Sequence, residues 1–273
     1  MTDDQRRAPH RDAADTAAPI SSPSIRTAAV WQAVLAAVAP REQQLDRPLR
    51  VVDLGGGTGG LAVPLAELGH TVTVVDPSPD ALASLRRRAQ EVGVSTRIIA
   101  VQGDAATLPE VVPPGQADLV TCHGVLEVLD DDAAVAAAAQ ALAGTLAPGG
   151  ILSVVAAGRL AAVLGRALGG RFEQAQTALV SNDGRWGPGD PMPRRFDAQQ
   201  LQDVLSAAGL QVERVHGVRL FDDLVPAAML DTEADYAALL DLQETITTHP
   251  TYAFLGQLGA ALHVVARRPQ EGA

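Results

Sequence analysis

The chain has 273 residues, 47% of them hydrophobic, which is enough to bury the core of one α/β domain with additions. Its net charge of −11 at pH 7 argues against broad nucleic-acid binding, because an acidic surface repels phosphate at long range. The single cysteine, Cys122, excludes a disulfide within the chain and is typical of a reducing compartment, so we predict a cytoplasmic location.

Residues 1–22 are polar and aperiodic, which predicts a disordered tail. Residues 23–48 predict an amphipathic helix from about Ser24 to Ala39 and then a short linker that begins at Pro40. No run approaches the roughly 18 apolar residues that a membrane-spanning helix requires. We therefore expect no association with a membrane.

Residues 49–157 alternate between short apolar segments and helical patterns. Strands are predicted at Leu49–Leu54, Thr71–Asp76, Arg97–Gln102, Asp118–His123 and Ile151–Ala156. Helices are predicted at about Gly60–Leu68, Ala81–Val92 and Asp132–Leu146. Apolar strands without alternation, separated by helices, indicate a doubly wound α/β fold with a mostly parallel sheet covered on both faces.

Residues 158–195 are rich in Gly, Pro and Arg and predict a lid, or insertion, made of one helix and a long loop. Residues 196–273 should complete the sheet. Asp197 and Gln200 form a capping-box pattern at the start of a helix that ends at Gly209. The remaining predicted elements are strands at Leu210–Val218 and Leu262–Ala266 and a helix at Thr232–Thr247.

A glycine-rich turn, Gly55-Gly56-Gly57-Thr58-Gly59-Gly60, follows the first predicted strand. Such a turn lets the backbone approach a ligand closely, but it occurs in nicotinamide, flavin and nucleotide sites alike. Asp53 is more specific, because a carboxylate at this position gains nothing from a pyrophosphate. It favours a ligand with a cationic portion, such as an ammonium or a sulfonium.

Two acidic residues at later strand ends indicate an adenosine moiety. Asp76 closes the second strand, where a carboxylate can accept hydrogen bonds from both ribose hydroxyls. Asp104, in Gly103-Asp104-Ala105 after the third strand, can accept one from the adenine amine. The ribose acid is shared with nicotinamide sites, so a dehydrogenase remains an alternative, against which Asp53 and the turn at Asp104 weigh.

Two further motifs, Asp118–Glu127 and Leu146–Gly150, follow in the chain. In this order the five motifs of residues 49–157 resemble class I S-adenosylmethionine-dependent methyltransferases. The resemblance implies a seven-stranded, mostly parallel sheet with a C-terminal antiparallel strand pair, and S-adenosylmethionine as the cofactor. It also implies donor-binding residues, which are Asp53, Gly55, Gly57, Gly59, Asp76, Asp104, Ala105 and His123.

A narrower resemblance extends outside the core, through Ser24–Arg26 with Trp31, His123–Glu127 and Gly217–Asp223. These segments are similar to the bacterial tRNA 5-carboxymethoxyuridine methyltransferases, which methylate a carboxylate on a wobble uridine. The similarity implies that residues 23–48 pack on the donor site and that Arg26 contacts the donor.

That group carries a lysine run before the capping box. Here the corresponding stretch offers only Arg185, Arg194 and Arg195, together with Asp183 and Asp190. The acceptor is therefore either tRNA or a small carboxylate-bearing molecule.

A carboxylate acceptor has a pKa of roughly 4, so it is already an anion and needs no general base. We therefore interpret His123 as a pocket residue rather than a base, and we take Arg195 and Arg219 as candidate clamps on the acceptor carboxylate.

The scattered histidines have no metal-ligand spacing, so no metal is expected. A non-catalytic protein that binds an adenosyl ligand remains an alternative function, and either a monomer or a homodimer is compatible with the sequence.

Overall fold

The computed structural model describes residues 28–221 and 224–270. The predicted tail at 1–22 and the donor contact of Arg26 lie outside these residues.

Seven strands form one sheet among the described residues. They are β1 (Arg50–Leu54), β2 (Thr71–Asp76), β3 (Ile98–Gln102), β4 (Ala117–His123), β5 (Leu146–Ala157), β6 (Gln211–Val218) and β7 (Ala261–Arg267). The strand order is β3-β2-β1-β4-β5-β7-β6, and β1 to β5 are parallel. The last strand, β7, runs antiparallel to both β5 and β6. The predicted fold class is confirmed.

Helices cover both faces of this sheet. They are α1 (Ala28–Leu45), α2 (Ala62–Glu67), α3 (Pro79–Glu91), α4 (Leu108–Val111), α5 (Asp132–Thr145), α6 (Arg159–Leu168), α7 (Phe172–Val180), α8 (Ala198–Ala207) and α9 (Glu233–Thr248). Side chains of α1, α2 and α3 pack in one core cluster, and those of α4, α5 and α8 in the other. No described helix combines the length and the apolar character that crossing a membrane requires.

Strand order places the candidate site. The chain leaves β1 toward β2 on one side and reaches β4 on the other, so the order reverses between β1 and β4. In open α/β sheets a crevice opens at the carboxyl ends of the strands at such a reversal. The glycine turn after β1 and the motif after β4 both lie at this edge.

The N-terminal helix corrects the prediction that Pro40 begins a linker. The helix continues through Pro40 to Leu45. Proline removes one backbone donor, but Arg41 beyond it is buried and donates to the Pro148 carbonyl over 2.9 Å. Tertiary contacts on both sides of Pro40 therefore keep the last turns helical. Packing of residues 23–48 on the donor site stays a prediction.

The segment 158–195 corrects a second prediction. It contains two helices, α6 and α7, before the loop, rather than one. Gly169 and Gly170 break the helical pattern between them, and Gly170 has a φ of +71°. Buried Arg159 at the start of α6 donates to the carbonyls of Leu179 and Ser181, which ties the ends of the helix pair together.

Strand β5 also begins earlier than predicted, at Leu146 rather than at Ile151. The backbone of Gly149 donates to the Arg268 carbonyl, and Arg268 donates back to Gly150, so the predicted turn is part of the pairing. The capping box at α8 is confirmed, with Asp197 and Gln200 each bonded to the backbone of the other.

Candidate functional site

The glycine turn joins β1 to α2 at the carboxyl edge of the sheet. Gly55, Gly57 and Gly59 all have positive φ values, of +73°, +55° and +83°. A Cβ on Gly55 would lie 2.4 Å from Val125, so packing against the loop after β4 fixes that position. At Gly57 the nearest atom would be an Asp76 carboxylate oxygen 3.9 Å away, which leaves open space for a ligand beside the backbone.

Asp76 lies at the end of β2 and is 8% exposed. One carboxylate oxygen accepts from the Gly57 amide and the other from the Ser78 amide, both over 2.9 Å. Each carboxylate oxygen has two lone pairs, so each keeps one for a further donor. The geometry therefore suits a pair of ribose hydroxyls beside the open space at Gly57.

Asp53 is buried at the end of β1. Its Oδ1 accepts from the Thr121 hydroxyl over 2.7 Å, and its Oδ2 has no hydrogen-bond partner among the described residues. Burial raises the pKa of Asp53 to about 6, although the Thr121 hydrogen bond opposes this. A buried carboxylate oxygen without a donor favours a cationic neighbour, and the contact of Asp53 with the ligand stays a prediction.

The raised pKa of Asp53 gives a testable pH dependence. A folded-state pKa above the ordinary 3.8 means that the folded protein binds this proton more tightly than the unfolded chain does. Stability is therefore lost as the pH rises from 3.8 to about 6, by up to about 3 kcal/mol at 1.4 kcal/mol per pKa unit. We expect Asp53→Asn to increase the free energy of unfolding at pH 8 by about 1–3 kcal/mol.

Urea unfolding without ligand at pH 4.5 and pH 8 measures this difference, which should shrink at the lower pH. Asp241→Asn, at an exposed position on α9, is the control. An Asp53→Asn variant that gains no stability at pH 8 would contradict a desolvated Asp53.

Asp104 is exposed at the turn after β3. Its Oδ1 accepts from the backbone amides of Ala106 and Thr107 and from the Thr107 hydroxyl. The hydrogen bonds from Thr107, before all other causes, lower the pKa of Asp104. One oxygen thus stabilises the turn, and the other, Oδ2, is the candidate acceptor for adenine. Ala105 is buried in the core beside it.

His123 lies at the end of β4 and is half-buried. Its Nε2 lies 2.8 Å from the Ser153 hydroxyl, which lies 2.8 Å from Nε2 of His263. Nδ1 of His263 lies 3.3 Å from Nε2 of His216. Burial lowers the pKa of His123 to about 4, so its ring is neutral at pH 7. Sequence reasoning missed Ser153, His263 and His216, because no local pattern links residues on four different strands.

Arg195 and Arg219, the predicted acceptor clamps, line one cavity of about 230 Å³ beyond the end of β5. Arg195 donates from both terminal nitrogens to Asp190, over 2.6 and 2.9 Å, so much of its charge is neutralised. Arg219 is half-buried at the end of β6 with a φ of +58°. The neighbouring Leu220 amide donates to Gln243 over 2.7 Å, which holds this turn in place.

Cys122, adjacent to His123, is fully buried in the opposite core cluster, where burial raises the pKa of its thiol. Within residues 28–221 and 224–270, no three side chains of His, Cys, Asp or Glu are arranged so that they could hold one metal ion. The polar groups of the candidate site lie at the carboxyl edge of the sheet. They extend from the glycine turn through His123 to the cavity lined by Arg195 and Arg219.

This chain resembles known methyltransferases. A methyltransferase domain family matches residues 51–150. The tRNA 5-carboxymethoxyuridine methyltransferase of Escherichia coli (strain K12) is 32% identical over 253 residues, which cover 90% of this chain and 89% of that protein. A ubiquinone biosynthesis O-methyltransferase of Methylocella silvestris is 33% identical over 211 residues, covering 72% and 73% of the two chains.

Solved structures share the fold. An S-adenosylmethionine-dependent methyltransferase from Mesorhizobium loti matches with a TM-score of 0.59 and 22% identity, covering 89% of this chain and 98% of the other. Magnesium protoporphyrin IX methyltransferase from Synechocystis, solved with bound S-adenosylhomocysteine, matches with a TM-score of 0.56 and 19% identity, covering 89% and 85%.

Proposed function

The chain belongs to the class I S-adenosylmethionine-dependent methyltransferases and uses S-adenosylmethionine, and from this premise we propose that it methylates a carboxylate oxygen. The observation that carries the proposal is the cavity at the carboxyl edge of the sheet, which is lined by Arg219 and by Arg195, with Arg195 already bonded to Asp190. Guanidinium groups bind carboxylates through paired, charge-assisted hydrogen bonds. The cavity therefore suits an anionic acceptor.

Bound S-adenosylmethionine supplies an electrophilic methyl group on a sulfonium. Asp53 offers the buried Oδ2 to the cationic portion of the ligand, and Asp76 holds the ribose beside Gly57. Arg219 orients the acceptor carboxylate, which is anionic at neutral pH and needs no base. The protein then contributes alignment and exclusion of water, which are the main sources of catalysis when no proton has to move.

Within this proposal the first acceptor is a modified wobble uridine in tRNA. The similarity to the E. coli tRNA methyltransferase over 90% of the chain supports it.

A specific observation favours a small carboxylate-bearing molecule as the second candidate. Two of the three arginines that stand where the related group has lysines are already paired, Arg195 with Asp190 and Arg194 with Asp132. Their charges are then less available to phosphate.

Calorimetric titration with S-adenosylhomocysteine, followed by incubation of labelled donor with tRNA and with a panel of small carboxylates, tests the proposal. We expect binding and a base-labile methyl ester on the acceptor. Label on tRNA supports the wobble-uridine acceptor, and label on small molecules alone supports the second candidate. Binding without transfer to either would indicate a non-catalytic adenosyl-binding protein, and no binding would overturn the donor site.

Arg219→Ala should raise the KM for the acceptor by about tenfold or more, since a charge-assisted hydrogen bond is worth about 1.5–3 kcal/mol. Affinity for S-adenosylhomocysteine should stay unchanged, which calorimetry checks beside the kinetics. Arg171→Ala, an exposed arginine at the start of α7, is the control. An unchanged KM in Arg219→Ala would remove Arg219 from the acceptor site.

A further inference from the structure

A chain of four hydrogen-bonding side chains crosses the sheet from the candidate site. It runs from His123 on β4 through Ser153 on β5 and His263 on β7 to His216 on β6. Ser153 is 1% exposed and His263 is 0% exposed, so the middle of the chain is sealed from solvent. Strand pairing sets His123, Val155, His263 and His216 side by side on one face, which explains why the rings meet.

All three imidazoles are neutral at pH 7. Burial is the largest cause that lowers the pKa of His123 and of His216 to about 4, and it also lowers the pKa of His263 well below its usual value. The cationic Arg214 on β6 contributes to this for His216 and His263. A neutral imidazole has one N–H that donates and one bare nitrogen that accepts. When one ring nitrogen donates to its neighbour, the other nitrogen can therefore only accept.

Ser153 is disfavoured as an acceptor from both histidines, because its own buried hydroxyl proton would then have no acceptor among the described side chains. The hydrogen-bond chain therefore has two self-consistent orientations, which differ in the direction of every hydrogen bond. In one, His216 donates from Nε2 to His263, His263 donates to Ser153, and Ser153 donates to Nε2 of His123. The proton on His123 is then on Nδ1. In the other, all bonds reverse, Nδ1 of His123 is bare, and Nδ1 of His216 carries a proton.

The surroundings of His216 favour one of the two orientations. Its Nδ1 is buried and has no hydrogen-bond partner among the described residues. A buried N–H without an acceptor is rarer in proteins than a buried acceptor that lacks a donor. The first orientation, with a bare Nδ1 on His216, is thus the favoured one.

We propose that Ser153, His263 and His216 are positioning residues that hold His123 as its Nδ1–H tautomer. His123 then presents a hydrogen-bond donor to the molecule that receives the methyl group. The Nε2 atom of His123 is occupied by Ser153, which leaves Nδ1 to a ligand at the end of β4. A donor at this position binds a carboxylate oxygen and cannot remove a proton from a hydroxyl. The part that concerns the acceptor rests on the proposed function, while the tautomer itself does not.

Imidazole ¹⁵N NMR of the ligand-free protein tests the tautomer directly, because protonated and bare ring nitrogens have distinct shifts and couplings. His123→Gln assigns the His123 signals by their disappearance. We expect a protonated Nδ1 and a bare Nε2 at pH 7.5. A protonated Nε2 on His123 in the wild-type protein would overturn the proposal, whatever the acceptor is.

Ser153→Ala removes the donor to Nε2 and the link to His263, so His123 is no longer held in one form and a mixture of its two tautomers should appear, whereas Ser153→Thr retains the hydroxyl and should retain Nδ1–H. Turnover should fall about fivefold or more in Ser153→Ala and recover in Ser153→Thr, with affinity for S-adenosylhomocysteine unchanged in both. An Nδ1–H form that stays as fully populated in Ser153→Ala as in the wild type would contradict the positioning role of Ser153. If no acceptor is ever methylated, the NMR result still stands or falls by itself.

Discussion

Replacing Asp76 with alanine should weaken the binding of S-adenosylhomocysteine by more than tenfold. Asp76 keeps one lone pair on each carboxylate oxygen for the ribose, and it also holds the amides of Gly57 and Ser78. A hydrogen bond to a charged group contributes about 1.5–3 kcal/mol, so the loss of a single one already reaches tenfold. Calorimetric titration of the variant measures the change in Kd.

Asp80→Ala is the matched control, since Asp80 is an exposed acid in the first turn of α3 and close in sequence. Asp76→Asn should fall between the wild type and alanine, because an amide offers one oxygen and no charge. Affinity that is unchanged in Asp76→Ala would remove Asp76 from the donor site.

His123→Ala should reduce turnover by about 10- to 100-fold, because small displacements of reacting groups are costly when alignment supplies the catalysis. Affinity for S-adenosylhomocysteine should stay within tenfold. Single-turnover kinetics with labelled donor, read beside the calorimetry, separates the two effects. Wild-type turnover in this variant would reduce His123 to a packing residue.

The alanine variant also leaves Ser153 without its His123 partner, so part of its effect could come from lost stability. His123→Gln addresses this, because its amide can reach the position of Nε2 and retain the Ser153 hydrogen bond without offering a group at Nδ1. We expect His123→Gln to melt close to the wild type and to turn over as slowly as His123→Ala. His249→Ala, on the stacked His249–Tyr252 pair outside the candidate site, is the histidine control.

Features set by neighbours in the sequence could be predicted. The capping box of Asp197 and Gln200 needs only a spacing of three residues, and it is confirmed. Positive φ values at Gly55, Gly57 and Gly59 are accessible because glycine lacks a Cβ. The placement of Asp53 and Asp76 at the carboxyl edge of the sheet follows from their positions as the last polar residues of apolar strands. The seven-stranded, mostly parallel sheet with its C-terminal antiparallel pair was predicted through the ordered motifs, because their resemblance to a known family brings these features with it.

Features that depend on distant partners could not be predicted. The position of Pro40 predicts the end of a helix, but the contact of Arg41 with Pro148 keeps the following turn helical. The sequence predicts that Arg195 binds the acceptor, but the loop folds back so that Asp190 binds both terminal nitrogens. In each case a contact made only in the folded chain overrides what the local pattern favours: Arg41 reaches a carbonyl 107 residues away, and the loop brings Asp190 onto Arg195.

The sequence by itself determined the α/β class and the acidic residues around the glycine turn, since periodicity and turn chemistry act over short distances, and its resemblance to a known family implied the methyl donor. Only the tertiary structure decided which groups surround His123 and how the arginines are paired. The physical reason is strand register: Ser153, His263 and His216 meet because β4, β5, β7 and β6 pair at fixed offsets. No pattern within one strand fixes those offsets, because a shift of register by two residues leaves the same side chains on the same face of the sheet.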